Sequence, residues 1–132
     1  MNKDYNKREQ ILFGEDYNSN KYLGGIRHFN CSRDIIQTLL DEDFIDPNGN
    51  QNESPTTEEF LEITKNLKHV EFCGYTVCPE RSDYRTTIEE VNIIVPDEEY
   101  DTLTNCIESL RYADEFSIEH ININYYIHAW WD

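Results

Sequence analysis

Residues 69–96 read HVEFCGYTVCPERSDYRTTIEEVNIIVP, and the reading of this stretch decides the fold. Apolar and polar positions alternate over residues 69–77 and again over 84–90, the period of a half-buried strand. Between them, Cys78-Pro79-Glu80-Arg81-Ser82-Asp83 is rich in turn formers, so the two runs predict a β-hairpin with a polar loop. The second run continues through Val91, Ile93 and Val95. Its apolar positions are even-numbered up to Ile88 and odd-numbered from Val91. A slip of one residue would turn the apolar side to water, so a bulge or break is predicted near Glu89-Glu90.

Downstream, Pro96-Asp97 ends the strand and starts a helix with the stripe Tyr100, Leu103, Cys106, Ile107 and Leu110. Phe116 and Ile118 follow, with the option of a closing hairpin. Ile121, Ile123, Tyr125, Ile127, Ala129 and Trp131 then alternate as a last strand with its odd residues inward. The even residues His120, Asn122, Asn124, Tyr126, His128 and Trp130 would form a polar-aromatic row on the other face, with Trp130 exposed.

Upstream, Ser32 reads as an N-cap, with Ile35, Ile36, Leu39 and Leu40 at helical spacing. Asp46-Pro47-Asn48-Gly49-Asn50-Gln51-Asn52 is a turn-rich loop. A second helix over residues 54–67 starts either at Ser54-Pro55 or at a Thr56–Glu59 capping box, and buries Phe60, Leu61, Ile63, Thr64 and Leu67. Residues 1–30 show little apolar periodicity and are expected to be a loosely ordered arm ending at Gly24-Gly25. One compact domain would then span 31–132. The fold class is α+β, three helices on a mainly antiparallel sheet, in the order helix, helix, strand, strand, helix, strand. Two helices and a hairpin also resemble a winged helix. Its groove-entering helix would carry Glu58, Glu59 and Glu62 against Lys65, the wrong sign for DNA.

The 132 residues, 38% hydrophobic and 13% aromatic, suffice for one packed core. Eleven Lys and Arg against 27 Asp and Glu leave a formal charge of −16. Such a surface repels nucleic acid and anionic membrane as direct partners. No apolar run approaches the ~18 residues of a membrane span. The charged start MNKDYNKREQ is not followed by an apolar signal core, so a cytoplasmic location with free thiols is expected. The charge is uneven. Residues 1–30 hold five basic and four acidic groups, 31–68 three and nine, and 69–132 three and fourteen.

Motifs for chemistry are sparse. A zinc site from His28, Cys31, Cys73 and Cys78 fails on spacing, because residues 73 and 78 of one strand point to opposite faces. Asp46-x-Asn48-x-Asn50-x-Asn52 resembles a calcium loop but has Gln51 where glycine is needed and Thr57 where a bidentate glutamate should close it. Adjacent carboxylates such as Asp41-Glu42-Asp43 follow from the abundance of acids. No Gly-x-Ser-x-Gly, phosphate loop or His-Glu-x-x-His occurs. A hydrolase or transferase would need a pocket joining Cys73 or Cys78 to His69. No catalytic residue, cofactor or metal is therefore assigned. The acidic C-terminal half suggests a partner surface built from Glu89, Glu90, Asp97, Glu98, Glu99, Asp101, Glu108, Asp114, Glu115, Tyr126, His128 and Trp130. Closely spaced carboxylates resemble the charge of a nucleic acid, so the expected partner is a basic protein such as a nuclease or nucleic-acid-binding effector. In size and composition the chain resembles small acidic inhibitors of defence nucleases and immunity proteins of nuclease toxins. The competing expectation is a winged-helix-shaped accessory module that assembles through the aromatic face.

Overall fold

A computed structural model describes residues 1–17 and 22–132. Its elements are α1 (Tyr5–Phe13), β1 (Ile26–Ser32), α2 (Arg33–Asp41), α3 (Thr57–Ile63), β2 (His69–Val77), β3 (Thr86–Pro96), α4 (Tyr100–Leu110), β4 (Glu115–Ile121) and β5 (Asn124–Trp130). The strands form one sheet in the order β1-β2-β3-β5-β4, antiparallel throughout. The class is α+β, with four helices and five strands among the described residues. It has one more helix than expected, an added strand β1, and the last strand divided in two.

The phase slip in β3 is a bulge. Cys73 pairs with Glu90 and Gly74 with Ile88, so Glu89 has no partner on β2 and its carbonyl instead accepts from the Trp131 amide (2.9 Å). Ile88, Val91, Ile93 and Val95 are therefore all buried on one side. Opposite the bulge the backbones approach so closely that a Cβ on Gly74 would lie 1.9 Å from the Thr87 carbonyl oxygen and 2.9 Å from Phe29 Cζ.

On that side, Phe60 of α3 meets Phe72 of β2 and Trp131 in edge-to-face contacts, each with centroids 5.5 Å apart. Ile36 and Leu39 of α2 and Leu103, Cys106 and Leu110 of α4 complete the core. Ser32 caps α2 by accepting from the Ile35 amide (3.4 Å). The capping box, not Ser54-Pro55, starts α3: Thr56 Oγ1 accepts from Glu59 N (3.1 Å) and Glu59 Oε1 from Thr56 N (3.0 Å). The proline start fails because the Ser54 hydroxyl is taken by the Gln51 amide in the preceding turn. The winged-helix expectation is not met, since β2 and β3 lie inside a five-stranded sheet and do not project as a wing.

The stretch 1–30, expected as a loosely ordered arm, holds helix α1 and most of strand β1; residues 18–21 lie outside the described residues. Helix α1 escapes a periodicity search because its buried positions are Arg8, Glu9 and Leu12. Arg8 is completely buried, and its guanidinium donates to Glu9 Oε1 (2.9 Å), the Tyr22 hydroxyl (2.9 Å) and the Val77 carbonyl (3.2 Å). Tyr22 also donates to Glu9. Arg27 of β1 lies 3.8 Å from Glu9 Oε2 and stacks 3.5 Å over the Phe13 ring. Charges thus occupy the places where a periodicity reading looks for aliphatics.

The turn Asn122-Ile123 divides the last alternating run, with Asn122 in the left-handed region at φ 55°. Ile121 and Ile123, expected inside, are exposed at the tip of the β4–β5 hairpin. Tyr100, placed on the α4 stripe, is 68% exposed, and Asp97 does not cap α4 but bonds His120 instead.

Two substitutions test this packing. Gly74→Ala should cost about 3 kcal/mol, because its methyl group meets backbone; urea unfolding measures this, and an unchanged midpoint contradicts the bulge geometry. Glu9→Ala strands the Arg8 charge and should cost about 3–5 kcal/mol in the same assay.

Candidate functional site

Helices α2, α3 and α4 supply buried side chains to one face of the sheet only. Strand alternation sends every second side chain to the opposite face, where cross-strand pairing aligns them in rows. One row is His69, Ile94, Tyr126 and Glu119; the next is Glu71, Asn92, His128 and Ser117; the third is Asn30, Cys73, Glu90, Trp130 and Glu115. All of these side chains are exposed or half-buried. The first two rows floor an open trough of about 650 Å³, with Lys68 at its margin.

Hydrogen bonds hold the middle row in place. The Asn92 amide nitrogen donates to Glu90 Oε2 (2.9 Å) and Glu71 Oε1 (3.3 Å), which turns its oxygen toward His128 Nδ1 (2.9 Å). That oxygen can only accept, so His128 carries its proton on Nδ1. His128 Nδ1 also lies 3.8 Å from Glu90 Oε2. One asparagine thus clamps two carboxylates and an imidazole.

The structure divides the acidic residues singled out from sequence into two groups and one outlier. Glu89, Glu90, Asp114 and Glu115 gather around Trp130 and the chain end, where Asp114 Oδ2 accepts from the Asp132 amide (2.8 Å). Burial raises Glu89 above the ordinary carboxylate range; His28, 3.6 Å away, opposes this, and Glu90 and Asp132 add to it. Asp97, Glu98, Glu99 and Asp101 lie at the other end of β3, about 20 Å away at six residues of strand rise. There Asp97 Oδ1 meets His120 Nε2 at 2.6 Å, and His120 stacks on Tyr125 at 4.2 Å. Glu108 stands alone on the outer side of α4.

The polar-aromatic row survives for Tyr126, His128 and Trp130 but not for His120, which the hairpin turn carries to the helix side with Tyr125. Trp130 is half-buried between Glu90 and Glu115, not freely exposed, because both neighbouring strands flank it. Sequence reading missed Glu71, Asn92 and His69 as members of the face. The available signal was His69, Glu71 and Cys73 at every second position of β2.

The cysteines and histidines do not converge. His28 and Cys31 are three apart on β1 and so face opposite sides, and no group of three metal-ligating side chains is found among the described residues. His69 and Cys73, four apart on β2, are separated by about 13 Å of strand. Burial, reinforced for Cys73 by Glu90 and Glu71, pushes the Cys31 and Cys73 thiols up to about 12, and burial takes Cys106 to about 11. The calcium-like loop satisfies itself, with Asn48 N donating to Asp46 Oδ1 (2.9 Å) and Asn50 to the Asn52 and Ser54 carbonyls. No helix among the described residues is long and apolar enough to cross a membrane.

Compared with family models, curated proteins and solved structures, the chain matches none.

The buried Cys106 thiol and the half-buried Cys31 and Cys73 thiols set an alkaline limit. The folded state holds these protons more tightly than the unfolded chain, whose thiols titrate near 9, so their contribution is intact below about pH 9 and is lost as pH rises toward 11–12. The urea midpoint should fall across that window, and a flat profile would contradict the burial of the thiols.

Proposed function

We propose that the protein is a small non-catalytic inhibitor whose acidic surface binds the basic nucleic-acid-binding surface of a nuclease or defence effector. It would act as an anti-restriction or anti-CRISPR-like mimic or as a nuclease-toxin immunity protein. One observation carries this reading. Glu71, Glu90, Glu119 and Glu115 stand on adjacent rows of an uncovered sheet face, and β3, β4 and β5 contain no lysine or arginine. Strand spacing puts Glu71 and Glu90 about 7–8 Å apart, Glu90 and Glu115 about 10 Å apart, and Glu115 and Glu119 about 13 Å apart, a spread of fixed negative charge that favours a cationic groove. The clamp on Glu71 and Glu90 holds two of them before any partner arrives, which lowers the ordering cost of association. Tyr126 and Trp130 add the aromatic contacts typical of interfaces.

The same aromatic pair favours a second reading, assembly of a regulatory module through this face. The two differ in their response to salt, because screening weakens charge pairing and leaves aromatic burial almost untouched.

Displacement of labelled duplex DNA from a restriction endonuclease, an RNA-guided nuclease and a DNase toxin, followed by fluorescence anisotropy at low and at physiological salt, tests the proposal. The protein should displace DNA from at least one of them, weakening by about tenfold or more as salt rises. Glu71→Gln, Glu90→Gln, Glu115→Gln and Glu119→Gln combined should remove the effect. Combined Glu98→Gln, Glu99→Gln, Asp101→Asn and Glu108→Gln should reduce it less. Displacement from none of the three enzymes overturns the proposal. Association that ignores salt and is lost in Trp130→Ala supports the second reading.

A further inference from the structure

Among the described residues β4 is the last strand of the sheet, and its outer side has no neighbouring strand. Six of its seven residues are exposed, and it carries no proline, lysine or bulge to keep the edge from pairing; its charges, Glu115 and Glu119, repel an acidic strand but not a basic one. The opposite edge is different. Arg27 of β1 is buried, stacks on Phe13 and donates to the Tyr17 and Asp16 carbonyls, so the N-terminal segment packs along that strand.

The hairpin determines which groups β4 offers. A two-residue turn makes Ile121 and Asn124 a hydrogen-bonded pair, so Ile121, Glu119, Ser117 and Glu115 spend their amides and carbonyls on β5. Phe116, Ile118 and His120 then direct theirs outward. The Trp131 amide, which bonds Glu89 of β3, confirms the parity, because odd residues of β5 turn to β3 and even ones to β4.

We infer that β4 is a docking edge for an extended strand of a partner protein, one that alternates basic and apolar side chains. The alternation follows from the two sides of β4. On the uncovered face an added strand lies beside Glu115, Ser117 and Glu119; on the helix side it lies beside Phe116 and Ile118. A second copy of this chain is the poorer occupant. Each copy carries −16, and two-fold pairing centred on Ser117 sets Glu115 against Glu119 twice. The sign of the partner's charge rests on the acidic-surface reading above; the use of the edge rests on the backbone alone.

The test uses a peptide of alternating Lys and Val, matched to the seven residues of β4, and a control of alternating Lys and Pro with the same length and charge but too few amides to pair. The Lys-Val peptide should bind about tenfold tighter or better. On its addition the amides of Phe116, Ile118 and His120 should gain hydrogen-exchange protection while those of Ser117 and Glu119 change little. Ile118→Pro removes an outward amide without breaking the ladder to β5 and should equalise the two peptides; its urea midpoint reports that the variant folds. If both peptides bind equally and salt-sensitively, with no new protection, the docking edge is overturned and the acidic surface stands. If neither binds, the charge reading falls with it. If the protein alone forms a dimer that Ile118→Pro dissolves, the occupant is a second copy and the inference is overturned.

Discussion

The two sides of this sheet depend on one unpaired residue. Glu89 stands in β3 without a partner on β2, and Gly74 opposite lets the strands close to within what would be 1.9 Å of an added Cβ. Without that extra residue, either Ile88 or the run Val91, Ile93, Val95 would face water. With it, all four join the core around Phe60, Phe72 and Trp131. Glu90, Asn92 and Ile94 are left to the other face, whose composition is a consequence of the core's demand for apolar surface.

One-sided layering follows. Three helices can cover one face of five strands, and the burial they provide is spent on aliphatic and aromatic groups from α2, α3, α4 and the central strands. The other face keeps histidines, glutamates and an asparagine that bond one another. The edges diverge for a similar reason: the N-terminal segment and the ion cluster of Arg8, Glu9 and Arg27 pack along β1, whereas the short connection from α4 leaves β4 uncovered. Two of the carboxylates, Glu115 and Glu119, and the unpaired backbone therefore meet at the β4 side of the molecule.

Much of this is legible in the sequence. Alternation located β2 and β3, helical spacing located α2, α3 and α4, and the parity change at Glu89-Glu90 marked the bulge. Helix α1 was illegible because Arg8 and Glu9 occupy its inner positions; a buried ion pair carries no hydrophobic signal. The division of the last strand was illegible because Asn122-Ile123 interrupts a run whose parity continues smoothly across it. Of the site, the even residues of β5 could be read, but Glu71 and His69 join them only through cross-strand register. The acidic set read as one surface is split by the length of β3.

Sequence alone determined the fold class, the sign of the surface and most element positions, because period and charge are properties of neighbouring residues. Which acidic groups share a face, which strand ends as an open edge and which charges are buried were decided only by the tertiary structure. Those outcomes come from pairing between segments tens of residues apart, where register and a single unpaired residue select the neighbours, and local sequence carries no record of that choice.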